Sequence, residues 1–349
     1  MQSKGIAALA IVIIIVAVAS FYVGRETAPK PTGAVPITFV LNWAISGEQT
    51  GIVAALSEGF YADEGLAVTI LRGYGSSSTA NRLLAGEGQF GFIDTIAGVR
   101  SRAAGIPLKY VAMGYHKSPV GLFGKPGVGP TTPDEIRGKR IGVTAASTDY
   151  LQLQILAHLH GINLENEVTL VFLSSAAKIP AVLSDEVDAV SGYDTGEGAQ
   201  LAHALGVPYE ELAVMKYADF GIDTYGNGVA ALENYIESNP EIVSKFVRAT
   251  MKGWAWALQN PDKAVDDVVK MFPELDRESV ELEWQITSGL IWNAETQEYG
   301  IGYMIPEKMQ RSIDITVEAF GVTPMSVENI MTNEFVSTLP DDIKFPLPV

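Results

Sequence analysis

Polar and aromatic residues recur in this sequence just beyond short apolar runs, at a spacing that suits the binding of a small molecule. Asn42 and Trp43 follow the run 37–41, Tyr74 and Ser76 to Ser78 follow 67–71, and Asp94 follows 90–93. Tyr115 and His116 close a fourth run at 108–115. Farther along, Ser147 and Thr148, then Tyr193, Asp194 and Glu197, then Tyr225 and Asn227 stand in similar places. An indole beside a carboxamide offers a stacking face, a donor and an acceptor, which suits a flat heterocycle. Asp94 could bind a ring nitrogen or an amine, or cap the helix that follows it. Ser76, Ser77, Ser147 and Thr148 open predicted helices, where free N–H groups and the helix dipole favour an oxygen-rich or anionic ligand. Simple capping accounts for the same hydroxyls.

Other chemistry is poorly supplied. With no cysteine in 349 residues there is no disulfide, thiolate metal site or catalytic thiol. The histidines are His116, His158, His160 and His203; His158 and His160, two apart on a helix, point to different faces and make a poor metal pair. Tyr299-Gly300-Ile301-Gly302-Tyr303 lacks the strand and third glycine of a dinucleotide fingerprint, and the acids of 184–188 lack the alternation of a calcium loop. No catalytic group, metal or cofactor is expected. A net charge of −17 disfavours nucleic acid, whose binding rests on phosphate neutralisation.

The elements that position these residues follow from hydrophobic pattern. Residues 6–23 carry no charge and, as a helix, would span about 27 Å, close to a bilayer core. Residues 1–24 are therefore read as a membrane anchor, with a cleaved signal peptide as the rival given Ala17-Val18-Ala19, and the proline-rich 25–36 as a tether. Either reading puts the remainder outside the cytoplasm. From there strands alternate with helices, which implies α/β architecture with parallel sheets and a ligand site at the strands' carboxyl ends. Predicted strands are 37–41, 67–71, 90–93, 108–115, 140–144, 168–173, 187–190 and 229–232. Thr132-Pro133-Asp134-Glu135 and Asp149 with Gln152 have capping-box spacing. The Gly- and Pro-rich 118–133 and the loop 217–227 are read as crossovers between two lobes. Lobe 1 would comprise 37–116 and 229–340, including C-terminal helices, and lobe 2 117–228. A double crossover makes a hinge and a cleft able to close around a ligand.

Certain runs carry a resemblance: Leu41-Asn42-Trp43, Gly59-Phe60-Tyr61-Ala62-Asp63-Glu64-Gly65-Leu66 before Val68-Thr69-Ile70, Leu83-Leu84-Ala85-Gly86-Glu87-Gly88-Gln89-Phe90-Gly91 before Asp94, and Leu183-Ser184-Asp185-Glu186-Val187-Asp188-Ala189. Over 37–340 the chain resembles the type II periplasmic binding proteins of the NMT1/THI5-like and SsuA/TauA-like group. The resemblance implies a monomeric, non-enzymatic receptor that hands a small solute to ABC permease subunits. Asn42-Trp43 resembles the receptors for thiamine pyrimidine precursors, the ligand expected here. Sulfonates such as taurine, or nitrate, are the alternative. Some members of the group are thiamine-pyrimidine synthases with a cysteine-rich motif, which a chain without cysteine cannot supply. A sensor ectodomain is a third possibility, for which the few residues before Ile6 offer no output domain.

Overall fold

A computed structural model of the protein describes residues 33–145 and 147–347. The apolar segment at 6–23 lies outside these residues, and among the described residues no helix is long and apolar enough to cross a membrane. Among the described residues ten strands run in chain order as β1 Val35–Val40, β2 Leu66–Leu71, β3 Phe90–Asp94, β4 Leu108–Met113, β5 Val120–Gly124, β6 Arg140–Val143, β7 Thr169–Phe172, β8 Ala189–Tyr193, β9 Ala213–Lys216 and β10 Asn227–Leu232. They form two five-stranded sheets, ordered β2-β1-β3-β10-β4 and β7-β6-β8-β5-β9.

The two sheets share one plan. In the first, β1 runs parallel to β2 and β3 while β10 is antiparallel to β3 and β4. In the second, β6 runs parallel to β7 and β8 while β5 is antiparallel to β8 and β9. The antiparallel fourth strand of each sheet is the one that immediately follows passage of the chain from the other sheet. Helices cover both faces, so β3 and β5 are buried throughout and read as unbroken apolar runs instead of alternating ones.

Burial explains the differences from the sequence expectations. Strand β5 falls inside the stretch 118–133 that pattern assigns to a glycine- and proline-rich crossover. Its glycines mark close approach, not a turn: a Cβ on Gly121 would meet the Met215 carbonyl oxygen at 2.6 Å, and one on Gly124 would meet Gly129 Cα at 2.6 Å. The edge strand β9 is too short to announce itself. Strand β8 extends to Tyr193, beyond the predicted 187–190, and β4 stops at Met113, before Tyr115.

Three predicted caps are also corrected. Gly75 precedes the helix Ser76–Leu84, and no side chain caps it. Glu135 does not close a box with Thr132; its Oε2 accepts from the Thr131 N–H at 2.7 Å and the Thr131 hydroxyl at 3.0 Å. The helix Thr148–Leu159 is capped by Ser147, whose Oγ accepts from the Tyr150 N–H at 3.3 Å, while Asp149 and Gln152 engage other partners.

The helix Pro240–Gln259 starts after Asn239 as its sequence indicates and buries Val243, Phe246, Val247, Trp254 and Leu258. These side chains share one core with Phe39, Phe90 and Phe92 of the first sheet, and Phe246 stacks on Phe90 with ring centroids 3.8 Å apart. Contact with the helix Thr50–Ser57 is closest at glycine: a Cβ on Gly51 would lie 1.8 Å from Trp254 Cδ1. Trp254 is 1% exposed and has nowhere to move. Gly51→Ala should therefore destabilise the fold by about 1–3 kcal/mol through overpacking, read as a lowered denaturant midpoint at unchanged slope. The helix Pro306–Phe320, ended by Gly321, places Met309 and Ile313 in a first-sheet core and Ile315, Ala319 and Phe320 against the second-sheet core.

Candidate functional site

The carboxyl ends of the parallel strands carry the polar residues. After β1 the chain turns at Asn42, whose Nδ2 donates to Glu48 Oε1 at 3.1 Å. Its carbonyl accepts from the Gly75 N–H at 2.7 Å, and the Trp43 carbonyl accepts from the Gly73 N–H at 2.9 Å. The loops after β1 and β2 are thereby sewn together, leaving Trp43 half-buried. A capping box between Ser46 and Gln49 opens the turn Gly47–Gln49 and points Glu48 inward. Burial raises the Glu48 carboxyl to about 7 against the opposing bond from Asn42, and the nearby Glu283 charge adds to the rise. Glu283, itself raised to about 7 by burial, accepts the Gly47 N–H at 2.6 Å.

Strand β3 ends in Asp94, which caps the helix Thr95–Ala103: its Oδ1 accepts from the Ile96 N–H at 2.9 Å. Ser76 Oγ accepts from the Asp94 N–H at 2.9 Å. The other carboxyl oxygen of Asp94 faces the second lobe, 3.4 Å from Gln152 Nε2, while Gln152 Oε1 accepts from the Ser118 hydroxyl at 2.9 Å. Burial outweighs the backbone bonds from Ala97 and Ile96 and lifts Asp94 to about 7. Tyr115, fully buried, donates to the Glu48 carbonyl at 3.0 Å, and its ring meets Phe92 edge-on. From the second sheet, Tyr193 lies beside Thr148; burial, with the charges of Asp94 and Glu48, pushes its phenol well above the ordinary range. Near neutral pH Glu48 and Asp94 can each donate as well as accept a hydrogen bond.

Asn227 completes this group. It is the first residue of β10, paired in register with Asp94, and its carbonyl accepts the N–H groups of Gly114 and Tyr115 at 3.0 and 2.9 Å. Its side chain is 0% exposed, and both polar atoms lack a partner among the described residues.

The remaining predicted residues have these surroundings. Glu197 lies in the turn Asp194–Gly198; its Oε1 accepts from Lys178 Nζ at 3.0 Å and its Oε2 from the Tyr193 N–H at 3.1 Å. Buried Asp194 pairs with Lys216 Nζ at 2.9 Å. The His116 ring stands edge-on to Tyr225, and its Nδ1 is 3.6 Å from Glu295 Oε2, too far for a hydrogen bond. Burial lowers the His116 pKa. Tyr225 accepts the Ile305 N–H through its hydroxyl at 2.6 Å. Tyr74, 66% exposed, carries the Arg72 guanidinium over its ring and stands on the surface. Ser77 is half-buried on its helix, and Ser147 donates to the Thr144 carbonyl at 2.7 Å.

Of the fourteen residues expected from sequence, the structure thus gathers Asp94, Tyr115, Thr148, Tyr193 and Asn227 in one polar group, buried but for the half-buried Tyr193, with Asn42 holding Glu48 beside it. Sequence reasoning missed Glu48, Gln152, Lys178 and Lys308. The box Ser46 to Gln49 and the lone Lys178 among apolar residues were the legible signals. Lys308 donates to the His116 carbonyl at 2.5 Å and to Glu295 Oε1 at 2.8 Å, which fixes the chain where it leaves β4. Among the described residues no group of three or more His, Asp or Glu side chains is placed to hold a metal ion.

Known proteins share this fold. The periplasmic aliphatic sulphonate binding protein SsuA of Escherichia coli superposes with TM-score 0.63 at 15% identity, covering 91% of this chain and 99% of that one. The periplasmic nitrate-binding protein NrtA of Synechocystis gives 0.67 at 14% identity, covering 89% and 91%. These likenesses establish the two-lobed periplasmic-binding-protein fold. In sequence, the riboflavin-binding protein RibY of Chloroflexus aurantiacus is 28% identical over 307 residues, 86% of each chain. The 4-amino-5-hydroxymethyl-2-methylpyrimidine phosphate synthase of Legionella pneumophila is 25% identical over 239 residues, covering 68% of this chain and 74% of that one. The family model described as NMT1/THI5 like matches residues 46–264. With well over half its length so matched and the fold in agreement, the chain belongs to the NMT1/THI5-like family.

Proposed function

We propose that the chain is the solute-binding receptor of an ABC importer, acting outside the cytoplasm, and that it closes its two lobes over a planar nitrogen heterocycle. The observation that carries this reading is the convergence of Asp94, Tyr115 and Glu48 from one lobe with Tyr193, Thr148 and Gln152 from the other. Aromatic faces beside buried groups that both donate and accept suit a flat ring with polar edges. The lobes are 37–116 with 227–340, since β10 opens at Asn227 in the first sheet, and 117–226, and the crossovers between them serve as the hinge. The chain works as a monomer that delivers its ligand to permease subunits.

Two ligands fit this chemistry: a thiamine pyrimidine precursor, expected from Asn42-Trp43, and riboflavin, the ligand in the name of the relative matched over most of both chains. Riboflavin takes precedence because that match is the longer. Titration of the purified chain with riboflavin should quench both flavin and tryptophan emission. Trp43→Ala should weaken the binding about fivefold, the equivalent of a stacking contribution of about 1 kcal/mol. Tight binding of taurine or nitrate, with no response to either heterocycle, would transfer the chain to the sulfonate and nitrate receptors. A second reading, pyrimidine-phosphate synthase, is favoured by the relatives that carry that name and opposed by the absence of cysteine. Formation of the pyrimidine phosphate by the purified chain would establish it.

A further inference from the structure

A buried carboxamide with nothing to bond is a cost that a folded protein has little reason to carry. Each unmet donor or acceptor forfeits its hydration without return. Asn227 carries two such atoms at zero exposure among the described residues. Its backbone leaves it no freedom to seek water. Strand β10 is hydrogen-bonded on both sides, to β3 and to β4, and the Asn227 carbonyl takes two further N–H groups. Along β10 the side chain is in phase with Val229 and Ala231, which belong to the same core as Phe92 and Tyr115. The register partner of Asn227 is Asp94, the residue that meets Gln152 of the other lobe. The unmet amide therefore stands at the junction of the two lobes, beside Tyr115 and Asp94.

We propose that Asn227 is the ligand-reading residue of the cleft, its carboxamide pairing in plane with a donor–acceptor edge of a nitrogen heterocycle. Such an edge is a ring N–H beside a carbonyl, as in a cyclic imide, or an exocyclic amine beside a ring nitrogen, as in an aminopyrimidine. A carboxamide offers one acceptor and one donor side by side, and both edges return the complementary pair. A simple anion such as sulfonate or nitrate presents only acceptors and would leave the amide oxygen unmet. This assignment rests on the receptor reading and adds to it the residue and the hydrogen-bond pattern that select the ligand.

The test titrates the purified chain, Asn227→Leu and Asn227→Asp with riboflavin, with its N3-methyl derivative and with 4-amino-5-hydroxymethyl-2-methylpyrimidine, and follows ligand-free thermal unfolding of each. Asn227→Leu is expected to bind the responding compound about ten- to a hundredfold more weakly while its ligand-free Tm stays level or rises, because the unmet amide is gone. Asn227→Asp, which keeps the acceptor and loses the donor, should weaken binding as well. A response to riboflavin that N3-methylation abolishes identifies the imide edge; a response to the pyrimidine alone identifies the amine edge. Equal affinity of Asn227→Leu and the unsubstituted chain overturns the assignment and leaves the receptor reading standing. So does a ligand-free Tm lowered by many degrees, which would make Asn227 a structural group. Failure of the unsubstituted chain to bind any of the three overturns both.

Discussion

Lys178→Met is expected to destabilise the fold by about 3–5 kcal/mol, because it strands two carboxylates that are buried around the ammonium. Lys178 is 2% exposed in the helix Ser175–Leu183 and donates to Asp149 Oδ2 at 3.0 Å, to Glu197 Oε1 at 3.0 Å and to the Ser191 carbonyl at 2.7 Å. Burial alone would lower the pKa of this lysine, but Glu197 and Asp149 prevail and raise it, so it stays charged at any working pH. Methionine keeps the length of the side chain and removes the charge. The consequence reaches the cleft, since Glu197 also anchors the Tyr193 N–H and Ser191 bonds the Tyr217 hydroxyl. Chemical denaturation should show the loss as a shifted midpoint. Combining Lys178→Met with Asp149→Asn and Glu197→Gln should recover a large part of it, since the penalty lies in the unpaired charges and less in the missing contact. If the triple variant is as unstable as the single one, packing and not charge is responsible.

Stability should rise as pH falls from about 8 to between 5 and 6, the reverse of the usual behaviour of a carboxylate-rich protein. Glu48, Asp94 and Glu283 are each raised to about 7 by burial. A carboxyl whose folded-state pKa exceeds its unfolded value holds a proton in the folded chain that the unfolded chain has released. Its contribution is complete below the ordinary carboxylate range and is lost as pH climbs through 7, at about 1.4 kcal/mol per unit for each group. The opposite sign belongs to Glu295: burial favours its neutral form, but the Lys308 ammonium, 2.8 Å from its Oε1, prevails and lowers it to about 2. Its contribution is present above the ordinary range and disappears as pH falls toward 2. His116, held neutral by burial, takes back some stability once the unfolded histidine begins to protonate near pH 6.5. Other carboxyls held below their ordinary range, such as Glu64, Asp188 and Glu233, lose their contributions only as pH falls below that range, so the groups raised to about 7 place the maximum on the acid side of neutral. Thermal unfolding across pH 4 to 9 should trace this curve, and Glu48→Gln should flatten its alkaline limb. A Tm that increases steadily from pH 5 to 8 would show that these carboxyls are ionised in the folded protein.

Local signals carried the framework of this protein. Apolar runs at strand length, separated by helical spacing, place β1, β2, β3, β6 and β7 in a parallel arrangement, and that direction alone puts Asn42, Asp94 and Thr148 on the rim at the strands' carboxyl ends. Asn239-Pro240, Asn260-Pro261, Pro306 and Gly321 mark helix limits because their backbone preferences act within a single turn. Where the chain approaches itself closely the same residues mislead. Gly121 and Gly124 resemble turn formers until Met215 and Gly129 are seen against them.

The partners of each polar group were a matter for the tertiary structure. Glu283 meets Gly47 across 236 residues, Lys308 meets the carbonyl of His116 across 192, and Gln152 reaches Asp94 across 58. No spacing rule spans such distances. Whether an acid is a solvated surface group or a carboxyl raised to neutral pH depends on what packs over it, as Glu48 and Glu135 illustrate. The sequence by itself determined the order of most elements, though not β5 or β9, and the direction of the parallel strands, because these follow from short-range propensity and hydrophobic period. Only the tertiary arrangement of the two sheets decided which polar side chains are buried, which are paired, and which, Asn227 among them, lack a partner among the described residues, because burial and pairing are properties of the assembled interior.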